Sequence, residues 1–95
     1  MKGRIKNILL YVADQWRGDT LGAMGHPSVR TPNIDAFATE GVTFARHYCQ
    51  ALPCGPSRAS MLTGLYLGGH RVVSNGTPLP SNLPNMARYF VDEGY

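Results

Sequence analysis

The sequence carries little charge and no cluster of basic residues. Charged residues make up 16% of the chain, and the formal net charge at pH 7 is only +3. The lysines and arginines are scattered and are not interleaved with aromatic residues, which argues against a nucleic-acid interface. A mildly basic site for a small anionic substrate remains open. Because 43% of the residues are apolar, we expect a globular chain rather than a disordered one.

Long apolar runs and a secretion signal are also missing. Residues 1–13 begin with basic residues and continue into a short apolar run, which Asp14 and Gln15 then interrupt. No small-residue cleavage site follows this run. We therefore expect a cytoplasmic protein without a membrane span.

Cysteine is scarce, since the chain has only Cys49 and Cys54. One disulfide between them is conceivable, but free thiols are favoured in a chain without a secretion signal. The pair also resembles half of a zinc site. No second pair of ligands follows at a matching spacing, so a zinc centre is not favoured.

Two segments have the composition of β-strands. Residues 7–13 (NILLYVA) form an apolar run of strand length, typical of a parallel strand buried on both faces, with Asp14 at its carboxyl end. Residues 42–48 (VTFARHY) are rich in β-branched and aromatic side chains and predict a second strand. Between the two, the glycine-rich segment 16–30 predicts a loop with one short helical turn.

Three segments have helical signals. Thr31 and Pro32 predict an N-cap and first helical residue, and Gly41 predicts the end of that helix in a left-handed conformation. A second helix is expected from Pro56 to Gly64, directly after Cys54. After a segment rich in glycine and proline, residues 83–91 have helical spacing and end before Gly94.

The order of the predicted strands and helices indicates an α/β fold with a mostly parallel central sheet. Such sheets are covered by helices on both faces and need further parallel strands. We therefore interpret residues 1–95 as the incomplete, truncated N-terminal part of one catalytic domain.

Cys54 lies in the segment with the clearest chemical signal, Cys54-Gly55-Pro56-Ser57-Arg58. The cysteine precedes a predicted helix, whose free N-terminal amides stabilise an anion, and Arg58 follows one turn along. A buried structural cysteine is the simpler interpretation. The spacing from Cys54 to Arg58 is too short for the phosphate-binding loop of cysteine-dependent phosphatases.

Residues 54–64 (CGPSRASMLTG) closely resemble the sulfatase signature, a C-x-P-S-R core followed by Leu-Thr-Gly. Upstream, residues 7–14 resemble the first strand of that family with its metal-binding aspartate. Residues 31–35 (TPNID) and 40–44 (EGVTF) resemble its T-P-N-hydrophobic-D and EG-hydrophobic-x-F blocks. The resemblance covers nearly the whole chain in the expected order.

The resemblance implies an alkaline-phosphatase-like hydrolase in which Cys54 is oxidised to formylglycine by a formylglycine-generating enzyme. A hydroxyl of the hydrated aldehyde, bound to one divalent metal ion, calcium or manganese, then attacks sulfur or phosphorus. Arg58 is implied as the cation that steadies this group, and Asp14 as a metal ligand. Many sulfatases have two adjacent aspartates, whereas here Gln15 follows Asp14, which leaves direct metal binding by Gln15 open.

Further details resemble the phosphonate monoester hydrolase and phosphodiesterase branch of the family. They are the Asp-Gln-Trp-Arg segment from Asp14, Leu65-Tyr66-Leu67, His70-Arg71, and Asn75 before Pro78-Leu79. This resemblance implies that Asn75 binds the anionic oxygens of the substrate. Asn75-Gly76 is equally a good turn dipeptide. For His47 and His70, a structural role is favoured over a catalytic one.

The sequence therefore predicts a hydrolase of sulfate esters or of phosphonate and phosphate esters. Its expected partners are a small anionic ester and the formylglycine-generating enzyme, with homo-oligomerisation possible in the full-length protein and no nucleic acid or membrane. The rival hypothesis is a non-catalytic fragment or scaffold, because the family's remaining metal ligands and acid-base groups belong to later segments. An anion-binding module built on the Cys54 helix ranks lowest.

Overall fold

The computed structural model describes residues 7–95 and divides them into two compact units, one ending at Ala45 and one from Arg46 to Tyr95. The first unit contains a 3-10 helix, Gly22–Met24, and the helix α1, Pro32–Glu40. The second contains α2, Cys54–Thr63, then α3, Leu67–His70, and α4, Met86–Asp92. None of the helices between residues 7 and 95 has the length and apolar character needed to cross a membrane.

In the first unit, two side chains of the TPNID block join the 3-10 helix to α1. The Thr31 hydroxyl donates to Asp35 Oδ1 (2.7 Å) and accepts from the backbone N–H of Gly22 (2.9 Å). The same Asp35 oxygen accepts from the backbone N–H of Ala23 at 2.8 Å. Thr31 is the N-cap residue, as predicted, but its hydroxyl accepts no capping hydrogen bond from an α1 backbone N–H and accepts from Gly22 instead.

The predicted end of α1 is right in position and wrong in conformation. The helix stops before Gly41, whose φ of −130° and ψ of −156° are extended rather than left-handed. The next segment thus leaves the helix directly, without a left-handed cap. In α2, by contrast, Gly64 has φ 70° and its N–H donates to Ser60 O at 2.8 Å, which confirms the glycine stop predicted there.

The two predicted strands are not formed among residues 7–95, which contain only helices, turns and irregular segments. Leu9 is 92% exposed and Val42 is 80% exposed, so neither run is covered by other residues. The physical reason is that a strand is stabilised by hydrogen bonds to a neighbouring strand, and no described segment pairs with either run. The expectation of a sheet is therefore not met within this part of the chain.

The second unit is organised around one face of α2. Its buried residues are Pro56, Ala59, Ser60 and Thr63 on α2, together with His70, which meets Ser60, and Val72. The helix α3 was not expected from its Leu-Gly-Gly-His sequence, because glycine has low helix propensity. The last helix begins at Met86, where the Asn85 side chain accepts from Ala87 N–H at 2.9 Å.

We expect the 95-residue chain by itself to unfold without a cooperative transition and to have no hydrolase activity. Apart from Pro56, the only buried apolar residues in the described part are Ala59 and Val72. Burying a large apolar side chain contributes roughly 1.5–3 kcal/mol, whereas ordering the backbone costs about 1–2 kcal/mol per residue. Thermal scans by circular dichroism and assays with chromogenic esters would check this. A sharp unfolding transition together with turnover would contradict it.

Candidate active site

Cys54 is the first residue of α2 and its side chain is exposed. The helix therefore begins two positions before the predicted start at Pro56, and the cysteine belongs to the first turn instead of preceding it. The first turn of a helix has backbone N–H groups without intrahelical acceptors, and these groups favour an anion. Cys49 is also an exposed free thiol.

Asn75 reaches the same helix end from a distant part of the sequence. Its Oδ1 accepts a hydrogen bond of 2.7 Å from the backbone N–H of Gly55, a residue twenty positions earlier. Asn75 is also in a turn, since Thr77 N–H donates to Ser74 O at 3.3 Å and Gly76 has φ 87°. The turn interpretation is thus confirmed, and the turn presents the Asn75 side chain to the first turn of α2.

Gly55 is a site residue that the sequence interpretation passed over. A Cβ atom on Gly55 would lie 3.0 Å from Asn75 Oδ1 and 3.3 Å from the backbone oxygen of Ser74. These distances are tighter than ordinary van der Waals contacts, so the absence of a side chain lets the turn approach the helix. No local pattern indicates this, since Gly55 occupies the variable position of the C-x-P-S-R core.

We expect Gly55→Ala in the full-length protein to lower kcat/KM about tenfold, because the new methyl group pushes Asn75 away from the helix end. Gly68→Ala is the matched control, since a Cβ at Gly68 meets nothing within 4 Å. Steady-state kinetics on both variants, with melting temperatures alongside, check the prediction. Equal activity of the two variants would contradict it.

Arg58 lies in the second turn of α2 and is exposed. It has an interaction within the protein and so is not simply a solvent-facing cation. Cys54, Arg58 and Asn75 thus all belong to the second unit, and α2 together with the turn at Asn75 positions them.

Asp14 and Gln15 are exposed residues of the first unit. Gln15 has a φ of 53°, a left-handed conformation that costs a non-glycine residue roughly 1–2 kcal/mol. Strained backbone of this kind concentrates at functional sites, where the surrounding structure maintains it. The strained backbone at Gln15 therefore supports a functional role for Asp14 and Gln15.

The neighbouring residues Trp16 and Arg17 maintain the local loop. Trp16 Nε1 donates to Thr20 O at 3.1 Å, and Arg17 forms an exposed ion pair with Asp19 at 2.6 Å. The hydrogen bond from Arg17 lowers the pKa of the Asp19 carboxyl below its usual value. In the Asp-Gln-Trp-Arg segment, Trp16 and Arg17 therefore have a structural role.

The predicted metal ligands of the first unit are Asp14 and Gln15. Asp14 and Gln15 offer oxygen atoms, the ligands that calcium and manganese accept. Among residues 7–95, however, no group of three or more histidine, cysteine, aspartate or glutamate side chains is placed to hold a metal ion. Asp14 and Gln15 can each supply one metal ligand, but they do not form a complete metal site by themselves.

The helix α2 thus begins at Cys54 with Arg58 of the C-x-P-S-R core in its second turn, and the sulfatase family profile matches residues 6–95. The chain belongs to the sulfatase family. It is 46% identical over 95 residues to the multifunctional alkaline phosphatase superfamily protein PehA of Trinickia caryophylli, covering 95% of this chain and 18% of that protein. It is 41% identical to an arylsulfatase of Clostridium perfringens, covering 94% of this chain and 19% of that protein.

A solved structure, the phosphonate monoester hydrolase of Agrobacterium radiobacter, superposes with a TM-score of 0.82 at 52% identity. The match covers 87% of this chain and 16% of that one. The predicted family and the resemblance to the phosphonate monoester hydrolase branch are thereby confirmed. The solved relative has an alkaline-phosphatase-like fold, whereas the predicted sheet is not formed among residues 7–95 of this chain. The chain spans less than a fifth of the length of the relatives described here.

Proposed function

We propose that this chain forms part of a hydrolase of sulfate esters or of phosphonate and phosphate esters, with Cys54 converted to formylglycine as the nucleophile. The observation that carries the proposal is the position of Cys54, exposed at the first residue of α2 in a chain of the sulfatase family. A nucleophile there is accessible to an ester, and the helix N-terminus favours the negative charge of the substrate.

Each of the other site residues has a distinct proposed role. Arg58 supplies a positive charge one turn after Cys54, where it balances the anionic nucleophile and the carboxylates of the site. Asn75 uses its Oδ1 atom for Gly55, so its Nδ2 group is the part that donates to a substrate oxygen. This division explains how one side chain both braces the helix end and binds an anion.

Asp14, Gln15 and the modified Cys54 are proposed as ligands of one divalent metal ion, calcium or manganese. When bound, the ion lowers the pKa of the hydroxyl that attacks the ester. Asp14 brings a charged oxygen and Gln15 a neutral one, so this pair carries one negative charge fewer than two aspartates would. The remaining ligands, and the sheet that would pair residues 7–13, are proposed to come from outside the described residues.

The names of the relatives support both substrate classes. One relative is a phosphonate monoester hydrolase and another is an arylsulfatase, and they share 52% and 41% identity with this chain. We further propose that the protein acts in the cytoplasm on small anionic esters, after modification by a formylglycine-generating enzyme. Homo-oligomerisation is proposed only for the full-length protein.

The proposal is tested on the full-length protein produced together with a formylglycine-generating enzyme. We expect turnover of 4-nitrophenyl sulfate, of 4-nitrophenyl phenylphosphonate, or of both, with the ratio of the two kcat/KM values assigning the branch. Calcium and manganese are supplied in parallel after chelation. Protein that carries formylglycine and metal but hydrolyses neither ester would overturn the proposal in favour of a non-catalytic scaffold.

A further inference from the structure

His70 is fully buried, and both of its ring nitrogens are used inside the second unit. Its Nδ1 accepts from the backbone N–H of Val72 at 3.1 Å, so this nitrogen carries no proton. The proton is therefore on Nε2, which lies 2.8 Å from the Ser60 hydroxyl and donates to it. A neutral imidazole thus joins the middle of α2 to the last residue of α3.

The segment from His70 to Gly76 is attached to α2 at two levels. At one level, buried His70 meets Ser60, which is only 6% exposed. At the other, Asn75 meets the backbone N–H of Gly55. Gly55 and Ser60 lie five positions apart on α2, or about 7.5 Å along its axis. Val72, which is only 3% exposed, lies between these two attachments in the sequence.

The two attachments differ in how well they resist displacement. The Asn75 contact is exposed to water, which competes for the Gly55 N–H. The His70–Ser60 contact is buried, and a displaced imidazole would leave polar atoms without partners away from solvent. The buried contact is therefore the one that determines where the segment lies, and the exposed contact follows from it.

We propose that His70 and Ser60 are positioning residues that hold Asn75 against the first turn of α2, beside Cys54. The effect on catalysis rests on the proposed function, whereas the effect on the Gly55–Asn75 hydrogen bond does not. A displacement of the segment lengthens that hydrogen bond and moves the Nδ2 group away from a substrate held at Cys54. Misplacement of a binding group by about 1 Å lowers rates by up to about a hundredfold.

The variants are chosen to separate positioning from general stability. Ser60→Ala removes the acceptor of the buried hydrogen bond. His70→Asn keeps an acceptor near Val72 but does not reach Ser60, whereas His70→Gln offers an amide at the distance of Nε2. Thr63→Val is the matched control, because Thr63 is also buried on α2, and its hydroxyl donates to Ala59 O (2.6 Å) and accepts from Leu65 N–H (3.2 Å), neither of which belongs to the segment from His70 to Gly76.

Hydrogen exchange of the full-length variants is followed by mass spectrometry in peptides that contain the Gly55 amide, with α4 peptides as reference. We expect Ser60→Ala and His70→Asn to speed Gly55 exchange about tenfold, without an equal change in α4. His70→Gln should restore part of the protection, and Thr63→Val should leave Gly55 unchanged. Unaltered Gly55 exchange in Ser60→Ala, or the same acceleration in Thr63→Val, would overturn the proposal.

Kinetics on the same proteins supply the second measurement. Ser60→Ala should lower kcat/KM about tenfold, and the loss should disappear when Asn75→Ala is already present, because both changes act through one contact. Equal losses with and without Asn75→Ala would overturn the positioning role. If the protein without substitutions has no turnover at all, the exchange experiment still tests the positioning role. Failure of the positioning role is therefore distinguishable from failure of the proposed function.

Discussion

Replacing Cys54 by alanine in the full-length protein should abolish turnover, with a loss on the order of a thousandfold or more. Alanine cannot be converted to formylglycine and has no nucleophilic atom, while the helix, Arg58 and Asp14 remain. Metal content should therefore be largely retained. Cys54→Ser should instead accumulate a covalent ester, because serine has a single hydroxyl and lacks the second one that would expel the product.

Cys49→Ala is the matched control for this experiment. Cys49 and Cys54 are both exposed free thiols, so loss of general thiol chemistry would affect the two variants alike. Mass spectrometry of the peptide that spans Cys54, with an aldehyde-reactive probe, identifies formylglycine directly. Arg58→Ala should reduce both this modification and the remaining activity. An unmodified Cys54 thiol in fully active enzyme would refute the mechanism.

Asp14→Asn in the full-length protein should lower metal affinity and activity together, each by on the order of a hundredfold. The substitution keeps the shape of the side chain and exchanges a charged oxygen for a neutral one. Since Gln15 is already neutral, the Asp14-Gln15 pair would then carry no negative charge at all. Metal content after dialysis and titration of activity with calcium or manganese measure the two effects.

Asp19→Asn supplies the control for charge. Asp19 belongs to the same unit and is exposed, and its ion pair with Arg17 lowers the pKa of its carboxyl. The control thus removes a true negative charge at neutral pH, five positions from Asp14. Unchanged metal content in Asp14→Asn, or an equal loss in Asp19→Asn, would remove Asp14 from the direct ligands.

The helices were predictable because their signals are local. Thr31 and Pro32 mark the start of α1, and Gly64 ends α2 in a left-handed conformation, since each depends on the backbone preference of a single residue. The strands were not formed, because a strand requires a partner that local sequence does not supply. The start of α2 at Cys54 could not be predicted in this way, because proline favours the first helical position and Pro56 occupies the third.

The local order of residues 54–64 was sufficient to assign the family, because Cys54, Pro56 and Arg58 occupy their positions within one short segment. The sequence of this short segment could not predict that Asn75 accepts a hydrogen bond from Gly55, or that His70 is buried against Ser60, because these pairs are twenty and ten residues apart. Contacts at such separations arise when helices and turns pack, and packing depends on shape and burial across the whole unit. The chemical identity of the site thus resides in the chain, and the placement of its supporting residues resides in the fold.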